Sequence, residues 1–210
     1  MRVARYLLGV AVALSLATPV AAQNVVYNNG GPDGQSGNEM SGLVQAEDFS
    51  FLSSTFFNGI TFWSAEVSPF VGTVTIDWSV FSDASGTPGS VLFSGTANST
   101  RTFVGQDIFG DDIWQNDLAI SNVNVGPGTF WLALHQGPDF NDRAFFWATT
   151  APNTTATGQE QAGGTGPFTD NFQEHAFALT ATPEPAAVVL LATGLVGVFG
   201  VARRRGRHAA

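Results

Sequence analysis

Apolar and polar positions alternate most plainly between Thr73 and Val80, where Val74, Ile76, Trp78 and Val80 are apolar and Thr73, Thr75, Asp77 and Ser79 are polar. Side chains of an extended strand point to opposite faces in turn, so this period of two predicts a half-buried β-strand. The residues after it, from Ser82 to Gly89, are turn chemistry: Pro88 presets φ and the glycines accept positive φ. Val91-Leu92-Phe93 opens the next strand. The same signals predict strands over 44–51, 59–64, 118–125, 129–135, 143–148 and 174–180, with Gly126-Pro127-Gly128 and Gly137-Pro138 as punctuation. Val25-Val26-Tyr27 reads as a short edge strand and 28–42 as a flexible lead-in. The Thr-, Gly- and Gln-rich stretch 153–170 reads as a long surface loop. No amphipathic helix or internal repeat interrupts this series. The pattern predicts an all-β module over 23–181, an antiparallel β-sandwich of jelly-roll type.

Two apolar runs at the ends do not alternate. At the start, Arg2 and Arg5 precede an uncharged stretch from Tyr6 to Ala17, Thr18-Pro19 breaks it, and Val20-Ala21-Ala22 supplies small residues. This predicts a signal peptide over 1–22, cut between Ala22 and Gln23, with export through the Sec translocon and signal peptidase. At the other end, residues 186–202 carry no charge. As a helix they would span about 25 Å, the short end of a membrane crossing. A single transmembrane helix is therefore expected there. Arg203, Arg204, Arg205 and Arg207 would hold its far end in the cytoplasm. Pro183 and Pro185 cannot extend a helix upstream, so Glu184 is presented in an extended segment just before the apolar run.

Pro183-Glu184-Pro185, the apolar span and the arginine cluster, in that order at a C-terminus behind a signal peptide, resemble the PEP-CTERM sorting signal of Gram-negative bacteria. The resemblance covers residues 182–210. Thr182 stands where the family usually has Val. The resemblance implies that an exosortase cuts the tail near Pro183-Glu184-Pro185 and passes the body to the envelope or exopolysaccharide matrix. The tail is then an enzyme's substrate and not an active site, and a plain C-terminal membrane anchor is the alternative. The body is also similar to β-sandwich modules found in such proteins.

Charge separates the body from its ends. The chain has eight Arg and no Lys, and only Arg101 and Arg143 lie between residues 23 and 182. Against sixteen acids in that span, the formal charge there is −14. Such a body repels nucleic-acid phosphates and anionic headgroups, which argues against nucleic acid as a partner. It leaves extracellular polysaccharide as a candidate one. With no cysteine, an exported chain must be held by its own core or by a metal, and thiol catalysis and Cys-based zinc sites are excluded.

Candidate chemistry is sparse. The body has two histidines, His135 and His175, and lacks a Gly-x-Ser-x-Gly elbow, a His-Glu-x-x-His pair and a phosphate-binding loop. A non-enzymatic structural or adhesive role follows as the expectation. No cofactor is expected, with calcium as the candidate cation. Its ligands would be Asp107, Asp111 and Asp112, with Asp117 nearby, although solvated acidic loops explain the same residues. Asp139 and Asp142 form a second acidic pair. The body holds 23 of the 25 aromatics, including all five tryptophans. These either fill the core or stack against sugars. Trp78 shares the face of Val74 and Ile76 and belongs inside, whereas Trp63, Trp131 and Trp147 are the candidates to line a carbohydrate-binding groove. A small glycosidase would need two carboxylates facing each other across a cleft.

Overall fold

The structure, a computed structural model, describes residues 23–67, 73–153 and 157–182. Among these, the chain forms twelve strands and no helix: β1 (Asn24–Gly30), β2 (Gly37–Glu39), β3 (Leu43–Phe51), β4 (Thr55–Glu66), β5 (Thr75–Asp83), β6 (Pro88–Gln106), β7 (Asp112–Val125), β8 (Gly128–Gln136), β9 (Phe145–Ala148), β10 (Gln159–Ala162), β11 (Thr169–Asp170) and β12 (Phe177–Ala181). The pairings are antiparallel and run in the order β1-β12-β4-β7-β6-β5-β8-β3-β10-β11, with β9 on β4 and β2 on β9. The expectation of an all-β antiparallel module holds.

The long strand β6 makes the sheet curl. Its residues 88–98 pair with β5, and its residues 99–106 pair with β7. One continuous strand thus serves two ladders in succession, and the sheet continues from one arm into the other through it. The first arm carries β1, β12, β4 and β7. The second carries β5, β8, β3, β10 and β11.

Alternation then fills the space between the arms. Ile76, Trp78 and Val80 of β5 and Leu132 and Leu134 of β8 face inward from the second arm. Ile60 and Phe62 of β4, Leu118 and Val123 of β7, and Phe177 and Leu179 of β12 meet them from the first. Trp78 lies in this core as expected, and the chain makes room for its ring. Gly95, its cross-strand partner on β6, would bring a Cβ within 3.0 Å of the indole. Phe49 of β3 is the hub, with ring centroids 5.8 Å from Tyr27, 6.0 Å from Phe57, 5.7 Å from Phe130 and 6.5 Å from Phe177.

Two segments differ from the expectation. The lead-in 28–42 holds the end of β1 and all of β2, and Met40 within it is fully buried. The stretch 153–170 holds β10 and β11, and β10 extends the second arm by pairing Gln159 to Ala162 with Ala46 to Leu43. Both strands are held by backbone pairing at the margin of a sheet, where no apolar alternation is required. The signal peptide at 1–22, the sorting tripeptide Pro183, Glu184 and Pro185, the expected helix over 186–202 and the cluster Arg203, Arg204, Arg205 and Arg207 lie outside the described residues.

Because Phe49 touches rings from both arms, Phe49→Ala is expected to lower unfolding free energy by about 3–5 kcal/mol, as phenylalanine truncation in closed cores does. Exposed Leu92→Ala should stay within about 0.5 kcal/mol of the parent. Denaturant titration of the two variants side by side checks both values.

Candidate functional site

The outward faces of the second arm build a groove with converging polar groups. Register sets three rows across it. In one row Asp77 of β5 pairs with His135 of β8, beside Val44 of β3 and Gln161 of β10. In the next, Ser79 pairs with Ala133, beside Ala46. In the third, Phe81 pairs with Trp131, beside Asp48. The middle row is small, so a trough runs between larger neighbours.

Phe140, from the loop between β8 and β9, rises at one side and lies with its ring 4.2 Å from that of His135. Phe81 bounds the trough further along the strand and is braced edge-on by Phe168 at 5.5 Å. The resulting groove encloses about 280 Å³, with Asp77, Ser79, His135 and Gln161 in its walls. Asp77 Oδ1 accepts a hydrogen bond from Thr96 Oγ1 at 2.5 Å, and Gln161 Nε2 donates to Gly166 O at 2.7 Å, so both side chains are oriented.

None of the three candidate tryptophans lines this groove. Trp131 does point outward, as its parity indicates, yet it is fully buried beneath Phe81 and Phe168. Its indole N–H donates to Asp83 Oδ1 at 2.9 Å. Trp147 is also fully buried, in the main core, and donates to Ala176 O at 2.9 Å. Trp63 lies half-buried on the outer side of β4, across from Gln115. The aromatic surface at the groove comes from phenylalanines instead.

The acidic candidates are occupied with structure. Asp107 Oδ1 accepts from the backbone of Phe109 and Asp111 at 2.8 and 3.0 Å, which shapes the turn between β6 and β7. Asp112 accepts from Gln106 at 3.0 Å. Partial desolvation, and then the charges of Asp107 and Asp112, raise the Asp111 pKa. Asp117 sits along β7 and accepts from Thr61 Oγ1 at 2.6 Å and Gln115 Nε2 at 3.0 Å. Among the described residues, no three His, Asp or Glu side chains converge to hold a metal ion. Asp139 pairs with Arg143, whose hydrogen bond holds its carboxylate below the ordinary range. Asp142 accepts from the backbone of Ala144 at 2.9 Å.

A second polar cluster lies inside the module. Glu47 is on the inward face of β3, in line with Phe49, and is fully buried. Its Oε2 accepts from the His175 backbone N–H at 2.8 Å and lies 2.7 Å from Nδ1 of the same residue. His175 is itself fully buried, stacked 4.8 Å from Trp147, with Nε2 3.1 Å from the Asn38 amide. Desolvation pushes its pKa down to about 3, so the ring is neutral. The Glu174 carboxyl neighbours that of Glu47, and Glu47 Oε1 and Glu174 Oε2 have no hydrogen-bond partner among the described residues. Burial raises Glu47 well above the usual carboxylate range. Burial and then the neighbouring Glu47 charge push Glu174 up to about 7. Tyr27 and Asn29 of β1 close the cluster: the phenol donates to Asn29 Oδ1 at 3.1 Å, and Asn29 Nδ2 donates to His175 O at 3.0 Å.

The outward parity of Asp77 and Ser79 is visible in the sequence, and Phe81 continues it two residues on. The contribution of Phe140 is not visible, because it depends on how a loop folds back. Glu47 had a signal as well: Gln45, Glu47, Phe49 and Phe51 share one face, and a charge on a core face needs a buried partner. Compared with protein families, curated proteins and solved structures, the chain matches none.

Burial of these groups generates a pH-dependent stability. A carboxyl whose folded pKa exceeds its unfolded value contributes fully below the unfolded value, and that contribution is lost as pH rises through the folded one. For Glu174 the window runs from about 4.5 to about 7. His175 acts in the opposite sense, since its contribution is present above about 6.5 and is lost as pH falls towards about 3. Glu174→Gln keeps a polar side chain of the same size beside Glu47 and removes the titration. The variant should therefore gain in Tm relative to the parent as pH is raised from 4.5 to 7.5, in paired thermal melts across that range.

Proposed function

We propose that the chain is an exported surface protein of a Gram-negative bacterium, anchored first by its C-terminal helix and then passed by an exosortase to the envelope or exopolysaccharide matrix. There its body serves as a structural or adhesive, non-enzymatic component. The carrying observation is the tail: Pro183-Glu184-Pro185, seventeen uncharged residues over 186–202 and a knot of arginines, in a chain whose first 22 residues have the composition of a signal peptide. In this reading the curled sheet is a two-layered β-sandwich of jelly-roll type, closed without disulfides.

The use of the polar groups supports a structural role. Glu66 is fully buried, accepts from Ser64 Oγ at 2.8 Å and pairs with Arg101, whose guanidinium lies 4.6 Å over the Trp114 ring. Asn116 and Ser99 extend this network with bonds of 2.9 and 3.0 Å. Glu47 is engaged by His175, and Glu174 lies buried beside it. Glycoside hydrolysis needs two carboxyl groups about 5 Å or more apart with substrate between them. Glu47, fully buried, is closed to such a substrate.

Replacement of Pro183-Glu184-Pro185 by three alanines in the producing cell should leave the chain uncut and in the membrane fraction. Intact mass would then include the 28 residues from Pro183 onward. A mature mass and location identical to the parent's would refute the sorting reading.

A further inference from the structure

We infer that the groove between Phe81 and Phe140 is a binding subsite for a neutral polysaccharide, seating a sugar ring over the small residues of the second arm. The inference deepens the proposed matrix role by naming a ligand class and the residues that meet it. It rests on export to the cell surface, and it does not depend on processing by an exosortase.

The rings come first. Phe140 is 44% exposed, a large apolar face left towards solvent although the His135 ring lies against it. Phe81 stands two residues beyond Ser79 on the same face of β5, and Phe168 at 5.5 Å holds it in place. An aromatic face carries negative quadrupole charge and attracts the weakly positive C–H groups on one side of a pyranose. Ser79 and Ala133 keep the floor between the rings low, and about 280 Å³ is room for a short stretch of glycan and too little for a folded partner.

The polar groups then select what stands on those rings. His135 Nε2 lies 3.0 Å from the Ser41 carbonyl oxygen, which only accepts, so Nε2 carries the hydrogen and Nδ1 presents a lone pair. That lone pair faces Asp77 Oδ2 at 3.9 Å, too far for a direct bond. In the neutral ring two acceptors thus confront each other, and a group with O–H hydrogens satisfies both. Gln161 spends one of its two amide hydrogens on Gly166, which leaves its carbonyl oxygen as a further acceptor beside one donor, and the Ser79 hydroxyl adds one adaptable partner. Sugar hydroxyls meet an acceptor-rich wall well, whereas phosphate, sulfate and uronate groups do not.

Charge gives the same selection. The chain has no Lys, Arg101 is paired with Glu66, and Arg143 with Asp139. A body of charge −14 whose two arginines are so engaged offers an anionic polymer no counter-charge. The ligand class is therefore a neutral glycan.

The experiment uses the full chain in a zwitterionic detergent, free of sugar headgroups. It is titrated calorimetrically with cellohexaose, mannohexaose and galactohexaose as neutral probes and with hexagalacturonate as the anionic one. At least one neutral hexasaccharide should bind. Phe140→Ala and Asp77→Asn should each weaken that binding tenfold or more at unchanged Tm, and Phe172→Ala, away from the groove, should leave it unaltered. Absence of binding by all three neutral probes, equal or tighter binding of hexagalacturonate, or parental affinity in Asp77→Asn overturns the inference. Should Phe140→Ala unfold, Asp77→Asn decides alone, since its side chain is half exposed. A chain that is cut and sorted but binds no glycan overturns the groove alone. A chain that binds but stays uncut overturns the sorting alone.

Discussion

The contact of aromatic rings across the curl holds the module together. Phe49 belongs to one arm, Phe57 and Phe177 to the other, and their centroids lie 6.0 and 6.5 Å apart. Each buried ring removes a large apolar area from water and gains further from edge-to-face geometry. In a chain without cysteine this burial does the work that cross-links do in many exported domains. Everything on the outer surface depends on it, because the rows facing solvent are the complement of those facing in. The small row of Ser79 and Ala133 is outward only because Trp78, Val80, Leu132 and Leu134 are inward.

The buried charges follow a related economy. Glu66 and Arg101 neutralise each other beside Trp114, and Glu47 is met by His175. Replacing such groups with apolar ones is often neutral for stability, so their value lies in specificity. Here they fix which strands meet. Glu47 and Asn38 are both tied to His175, next to β12, and β1 is tied in through Asn29. A slipped register would strand a carboxylate in the core, at a cost that the rings alone would not impose.

How much of this was legible in the sequence varied with the physical cause. Where burial on one face drives alternation, as in β5 and β8, strand, face and core membership followed from the residues. Trp78 is the clearest case. Trp131 shows the limit: parity put it on the outer face correctly, but parity does not reveal that Phe168 folds over it. Sheet-margin strands β2 and β10 gave no signal, since backbone pairing alone holds them. The groove was half legible, Asp77 and Ser79 by parity and Phe140 not at all. The acidic run from Asp107 to Asp112 left calcium ligation and a solvated loop both open in the sequence, and the fold adds that the Asp107 carboxylate is engaged by the backbone of its own turn.

The position of β12 has a mechanical consequence. It lies between β1 and β4, and Ala181, its last residue, pairs with Asn24, the first residue of β1. A pull on the chain at Ala181 along the strand direction loads the hydrogen bonds on both flanks of β12 together, in shear. Peeling, by contrast, would break them one rung at a time. A module tethered at its C-terminal side and gripped elsewhere would resist tension in its strongest direction, although β12 is only five residues long.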